Sequence, residues 1–186
     1  MHGMSELNQI LSDINQAETQ SEKRQQWQPK HIGSIDIRIA ADGSWFHEGR
    51  PFQRMSLVKL FASVLRKEGD AYFLLTPAEK LEIQVEDAPF VATLVETQDS
   101  TIIFTTNLGD RLVVDAEHPV RVEIDPQTQI PRPYVHYRDG LDALVSRSAF
   151  FDLINLAEER ERDGKHYLTV SSMGQTFDLG CVEEGI

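Results

Sequence analysis

Residues 76–90, TPAEKLEIQVEDAPF, decide how this chain is read. Thr76-Pro77-Ala78-Glu79 is a turn, because the proline ring fixes φ. Leu81, Ile83 and Val85 then alternate with Glu82, Gln84 and Glu86, the period of a strand with one buried face. Pro89 stops the strand, since it has no amide hydrogen for a sheet ladder. A strand that ends on an acidic, proline-containing exit near the middle of 186 residues marks the end of a first folded unit.

Outward toward the N-terminus, residues 71–75 form an almost wholly apolar strand. Residues 56–68 read as a helix with Leu57, Phe61, Val64 and Leu65 as its buried stripe, widened by Val58 and Leu60. Arg66 and Lys67 sit in its last turn, where the helix dipole favours cations, and Gly69 caps it. Ile35, Ile37 and Ile39 alternate with Asp36 and Arg38 as a half-buried strand. Asp42-Gly43 is a tight turn, Trp45 and Phe46 start the return strand, and Gly49-Arg50-Pro51 ends it. Residues 27–33 are a linker. Residues 4–26 read as a helix with Leu7, Ile10, Leu11 and Ile14 on one face, either docked by its first turns or reaching to a partner subunit.

Toward the C-terminus the chain is a run of strands, at about 90–96, 101–106, 110–114 and 120–124, followed by a loop over 125–133. Residues 134–138 and 141–145 make a hairpin around Asp139-Gly140. Residues 146–162 read as a helix with Phe150, Leu153, Ile154 and Ala157 inward and Gly164 as its stop. A final hairpin, 167–170 with 176–179, turns at Met173-Gly174.

The halves share an order of strand, Asp-Gly turn, short strand, helix, glycine and hairpin. Asp42-Gly43 matches Asp139-Gly140, Gly69 matches Gly164, and Tyr72 matches Tyr167, with about two residues of slippage. The predicted fold class is therefore α+β: two similar lobes from an internal duplication, each an antiparallel sheet packed on one helix. The boundaries are 1–28 for the N-terminal helix and linker, 29–88 for the first lobe, and 89–186 for a second, larger lobe. A cleft between lobes is the default ligand location.

Composition excludes several functions. Net charge is −12, which opposes wrapping a nucleic-acid polymer or lying on an anionic membrane. No stretch approaches the roughly 20 apolar residues that cross a bilayer. Cys181 is the single cysteine, so an intrachain disulfide is impossible and a reducing, cytoplasmic location is expected. The first residues lack the basic-then-apolar pattern of a secretory signal. There is no glycine-rich phosphate loop, no G-x-S-x-G elbow and no H-E-x-x-H. No catalytic residue, metal ligand or cofactor is assigned.

Several side chains have binding chemistry, and each also has a plain structural use. Glu86 and Asp87 are adjacent carboxylates that point to opposite faces of a strand. Asp87 either anchors the turn before Pro89 or binds a ligand. Asn107, in Thr106-Asn107-Leu108-Gly109-Asp110, either caps a turn or reads a polar ligand edge. His118 starts a strand, with no metal spacing to His136 or Cys181. Arg121, Arg138 and Arg147 either pair with the abundant carboxylates or focus positive charge on an anion, which a planar guanidinium grips through two hydrogen bonds. Phe90 or Tyr134 would give such a site an apolar or stacking wall.

Together these segments resemble a bacterial domain-of-unknown-function family, number 1285. The resemblance runs in order from Trp27 to the end. It is carried by Thr76-Pro77-Ala78-Glu79-Lys80, Val85-Glu86-Asp87-Ala88-Pro89-Phe90, Thr106-Asn107-Leu108-Gly109-Asp110, His118-Pro119-Val120-Arg121-Val122 and Pro133-Tyr134-Val135. Arg138, Gly140-Leu141, Ala143, Arg147, Gly174 and Leu179-Gly180 continue it. It implies two related lobes, the second loosely like a pleckstrin-homology barrel, a small-ligand site at the lobe interface for a nucleotide-like molecule, and a signalling role.

The expected function is a cytoplasmic, non-enzymatic module that senses a small anionic ligand. Arg121, Arg138 and Arg147 would neutralise it, while Glu86, Asp87 and Asn107 would bind its polar groups. The alternatives are a protein-interaction or homo-oligomeric module using a strand edge or the N-terminal helix, and an enzyme of unfamiliar type built on His118 or a carboxylate.

Overall fold

A computed structural model of the chain describes residues 2–18 and 27–182. It divides into two compact units, Met1–Asp87 and Ala88–Ile186, each built on a six-stranded sheet.

The first unit opens with α1 (His2–Glu18), in which Ile10 and Ile14 are buried. Residues 19–26 of the predicted helix lie outside the described residues. The sheet consists of β1 (His31–Ile39), β2 (Trp45–His47), β3 (Arg50–Pro51), β4 (Leu65–Glu68), β5 (Ala71–Leu75) and β6 (Glu79–Val85), with α2 (Met55–Ser63) between β3 and β4. Thr76 builds the turn before β6 as its residue type predicts: its hydroxyl accepts from the Ala78 and Glu79 amides. Ile37, Ile39, Leu74, Leu81 and Ile83 are buried together with Phe61 and Trp45. Phe61 stacks on Trp45 at 6.5 Å and meets Phe52 edge-on at 5.6 Å.

The predicted helix over 56–68 ends early. Val64 closes α2 by donating to Phe61 O, and Leu65–Glu68 is an edge strand paired with β5. The apolar run around residue 64 satisfies helical and alternating spacing alike, and strand pairing decides between them. Gly69, at φ +60°, belongs to the β4–β5 hairpin turn rather than to a helix cap. Arg66 pairs with Glu68, and Lys67 lies over Tyr72.

The second unit contains β7 (Phe90–Gln98), β8 (Thr101–Thr106), β9 (Arg111–Val113), β10 (Val120–Ile124), β11 (Pro131–Arg138) and β12 (Leu141–Val145). It continues with α3 (Arg147–Asn155), β13 (Glu158–Arg162), β14 (Lys165–Ser172) and β15 (Gln175–Val182). Ser146 caps α3, its hydroxyl accepting from Ala149 N–H. The predicted helix over 146–162 fails at its second half in the same way as the first. Glu158–Arg162 is a fully exposed edge strand, and Asp163-Gly164 makes its hairpin turn at positive φ.

The two six-stranded sheets have one topology. Their orders are β3-β2-β1-β6-β5-β4 and β10-β11-β12-β7-β8-β9. In each, one meander runs outward from the centre and the next runs back in. They meet in a central parallel pair, β1 with β6 and β12 with β7. The sheets are thus mixed, not wholly antiparallel as expected, because each second meander begins at the far edge and returns in the direction of the first strand. The topological repeat also begins at Phe90, ahead of the Asp139-Gly140 turn that suggests it in sequence. The three strands after α3 form a separate sheet, β13-β14-β15. That sheet borders the six-stranded sheet of the second unit, with β15 beside β10 and β14 beside β8. Ser172, buried, donates from its hydroxyl to Val114 O at 2.6 Å and accepts from Ile102 N–H at 2.9 Å.

Candidate functional site

The densest polar constellation among the described residues lies on one face of β10–β12. Register fixes it. Arg121 is opposite Tyr134, Tyr134 is opposite Leu144, and His136 is opposite Asp142, so all five share a face. Val120, Val135, Ala143 and Val145 take the other face and are buried. Arg121 reaches across β11, and its guanidinium carbon lies 4.8 Å from the Tyr134 ring centroid. Its Nη2 donates to Asp142 Oδ2 at 3.0 Å and its Nε to Glu123 Oε1 at 2.9 Å. The other Asp142 oxygen, Oδ1, is 3.1 Å from His136 Nδ1.

A carboxylate only accepts, so His136 Nδ1 carries a proton and Nε2 points away from Asp142. Asp142 is 16% exposed, His136 29% and Arg121 46%. The carboxylate is therefore sheltered while both partners face solvent. Burial opposes the charge on Arg121, but the hydrogen bonds to Asp142 and Glu123 outweigh it and hold the guanidinium above its ordinary value. Neither Arg121 Nη1 nor His136 Nε2 makes a hydrogen bond among the described residues.

The other predicted residues lie elsewhere in their units. Phe90 is buried and packs on Tyr137, ring centroids 4.4 Å apart. It is core, not an exposed stacking wall. Tyr137 donates to Asp110 Oδ2 at 3.2 Å. Burial first, then the Asp110 carboxylate, pushes its phenol above the ordinary range. Arg138 lies over the same ring and 3.7 Å from Asp139. Asn107 clamps the start of β7: its Oδ1 accepts from Val91 N–H, and its own amide donates to Val91 O. His118 sits in the turn before β10, with its amide on Asp115 Oδ1. Its Nδ1 is buried without a hydrogen bond, 3.6 Å from that oxygen. Arg147 is exposed on α3 near Phe150, Phe151 and Ile154.

In the first unit Glu86 serves structure. Its carboxylate accepts from Arg38 and from the Ala41 amide, while its own amide donates to Ile39 O. The Ala41 amide first, then Arg38, holds the carboxyl below the usual glutamate range. Asp87 is half-buried two residues before Pro89.

Of the predicted residues, the structure thus joins Arg121 to Tyr134 and adds His136, Asp142 and Glu123. No group of three or more His, Cys, Asp or Glu side chains among the described residues could hold a metal ion. No described helix is long and apolar enough to cross a membrane.

Fold and site define a two-unit, mostly β, α+β protein with a cation–aromatic face on its second sheet. The chain belongs to the DUF1285 family. Residues 24–88 match "Domain of unknown function (DUF1285), N-terminal domain" and residues 89–179 match "Protein of unknown function (DUF1285), C-terminal domain". A DUF1285 family protein from Silicibacter pomeroyi, solved at 2.50 Å, is 44% identical, with a TM-score of 0.77 over 86% of this chain and 87% of that one. A DUF1285 family protein from Shewanella baltica, solved at 1.40 Å, is 30% identical, with a TM-score of 0.53 over 64% of this chain and 90% of that one. No curated protein matches the chain.

Proposed function

We propose that this protein is a non-catalytic, cytoplasmic module that binds a small, nucleotide-like anion on the β10–β12 face and serves as a sensor. One observation carries the reading. The Arg121 guanidinium lies against Tyr134 and is tethered by Asp142, with Nη1 left unengaged among the described residues. A guanidinium fixed before the ligand arrives loses less freedom on binding, and contact with a ring face favours its charge. Glu123 is the local competitor. Its pair with Arg121 is solvent-exposed, and such pairs contribute about 0–1 kcal/mol, so an anion can displace it.

The test is a thermal-stability screen against nucleotides and phosphorylated metabolites. A ligand at a hundredfold excess over its dissociation constant stabilises the fold by about 2.7 kcal/mol. Arg121→Gln should abolish that shift while leaving the melting curve of the unliganded protein cooperative. A screen in which folded protein responds to no anion, or responds equally in the variant, removes the reading.

A further inference from the structure

We infer that the anion selected on the β10–β12 face is a phosphate monoester, and that Asp142 is the positioning residue that makes Arg121 and His136 act on it as a pair. This rests on the anion-binding reading above and names its ligand class. Asp142 gives one oxygen to each partner, Oδ2 to Arg121 at 3.0 Å and Oδ1 to His136 at 3.1 Å. Two groups held by the two oxygens of one carboxylate are neighbours, and each keeps one nitrogen, Nη1 or Nε2, without a hydrogen bond among the described residues.

These two atoms ask different things. Arg121 Nη1 only donates. His136, with its Nδ1 proton committed to Asp142, presents a lone pair at Nε2 when neutral and a donor when protonated. The matching oxyanion offers an acceptor oxygen to arginine and can either give a proton to the imidazole or take a hydrogen bond from it. A phosphate monoester does both, because its second ionisation lies near pH 6. A sulfate ester or a carboxylate at neutral pH has no proton to give, so the neutral imidazole repels it.

The experiment is calorimetric titration of the full chain at neutral pH with phenyl phosphate and with phenyl sulfate, alongside ¹⁵N spectra of the imidazole nitrogens. Phenyl phosphate should bind at least about tenfold more tightly than phenyl sulfate, the step for losing a charged hydrogen bond. It should also shift the His136 Nε2 resonance. Arg121→Gln, His136→Gln and Asp142→Asn should each weaken phenyl phosphate by about tenfold or more. In Asp142→Asn the His136 Nε2 response should also disappear, although both contacting side chains remain. AMP and ribose 5-phosphate, run in parallel, separate a nucleotide ligand from a sugar phosphate.

Equal affinity for the two phenyl esters, still dependent on Arg121, overturns the phosphate assignment and leaves anion binding standing. Absence of any Arg121-dependent binding removes both. Unchanged affinity and an unchanged Nε2 response in Asp142→Asn overturn the positioning role. Should that variant fail to fold, ester selectivity and the Nε2 shift of the native chain decide the matter.

Discussion

Asp142 and Glu86 use their carboxylates differently. Asp142 is sheltered and orients two solvent-facing groups, whereas Glu86 ties a turn to the end of a strand. Glu86 therefore gives a pH prediction. Its folded-state carboxyl titrates below the unfolded one, so its stabilisation is complete above the ordinary glutamate range and is lost as pH falls through the folded value. Glu86→Gln should flatten that part of the acid limb in urea midpoints taken against pH; an unchanged limb would show that the Ala41 and Arg38 contacts carry no linkage. Arg121 and Tyr134 were legible as candidates from residue type and their place in strands, and register sets them opposite one another. Asp142 was not, because a bulge hides it. Counting back from the Asp139-Gly140 turn places Tyr137 opposite Asp142, but the register shifts between His136 and Arg138 and puts His136 there instead. One extra residue changes which face every preceding side chain occupies, and nothing in PRPYVHYRDG announces it.

Among the elements, strands and their turns were the readable part, since alternation and Asp-Gly or Met-Gly pairs report local geometry directly. Asp99-Ser100 and Met173-Gly174 both turn at positive φ as their hairpins require. Both helices end early for one reason: a helix that runs straight into an edge strand carries no break in its apolar pattern. The glycine that would have been the stop belongs to the next hairpin. Packing assigns the cost of disrupting α2. Phe61 is fully buried between Trp45 and Phe52, so Phe61→Ala should destabilise the protein by about 3–5 kcal/mol in urea unfolding. Phe151 on α3 is 66% exposed, and Phe151→Ser should change stability by no more than about 0.5 kcal/mol. A large loss there would mean that its ring is engaged in solution.

For the whole molecule, 30 acidic against 18 basic side chains set up a self-repulsion that salt relieves. The melting temperature should rise between about 0.01 M and 0.15 M ionic strength, as the screening length contracts from about 30 Å to about 8 Å. A fall would show that specific ion pairs outweigh the net field. A doubled chain was predicted and is found, but not at the positions that suggested it: Asp42-Gly43 joins β1 to β2 while Asp139-Gly140 joins β11 to β12, and Gly164 lies in the separate three-stranded sheet. The frame of the doubling was not legible, because strand order within a sheet is set by long-range pairing that local patterns do not encode. The hydroxyl of Ser172 has a consequence of its own. It is a buried bolt between the last hairpin and the sheet that precedes it, and it shields the Ile102 amide from exchange with solvent. Deuterium uptake at that one amide is therefore a gauge of how often the C-terminal hairpin lifts away, and Ser172→Ala, which strands two buried backbone groups at about 1–3 kcal/mol, should make the gauge run fast.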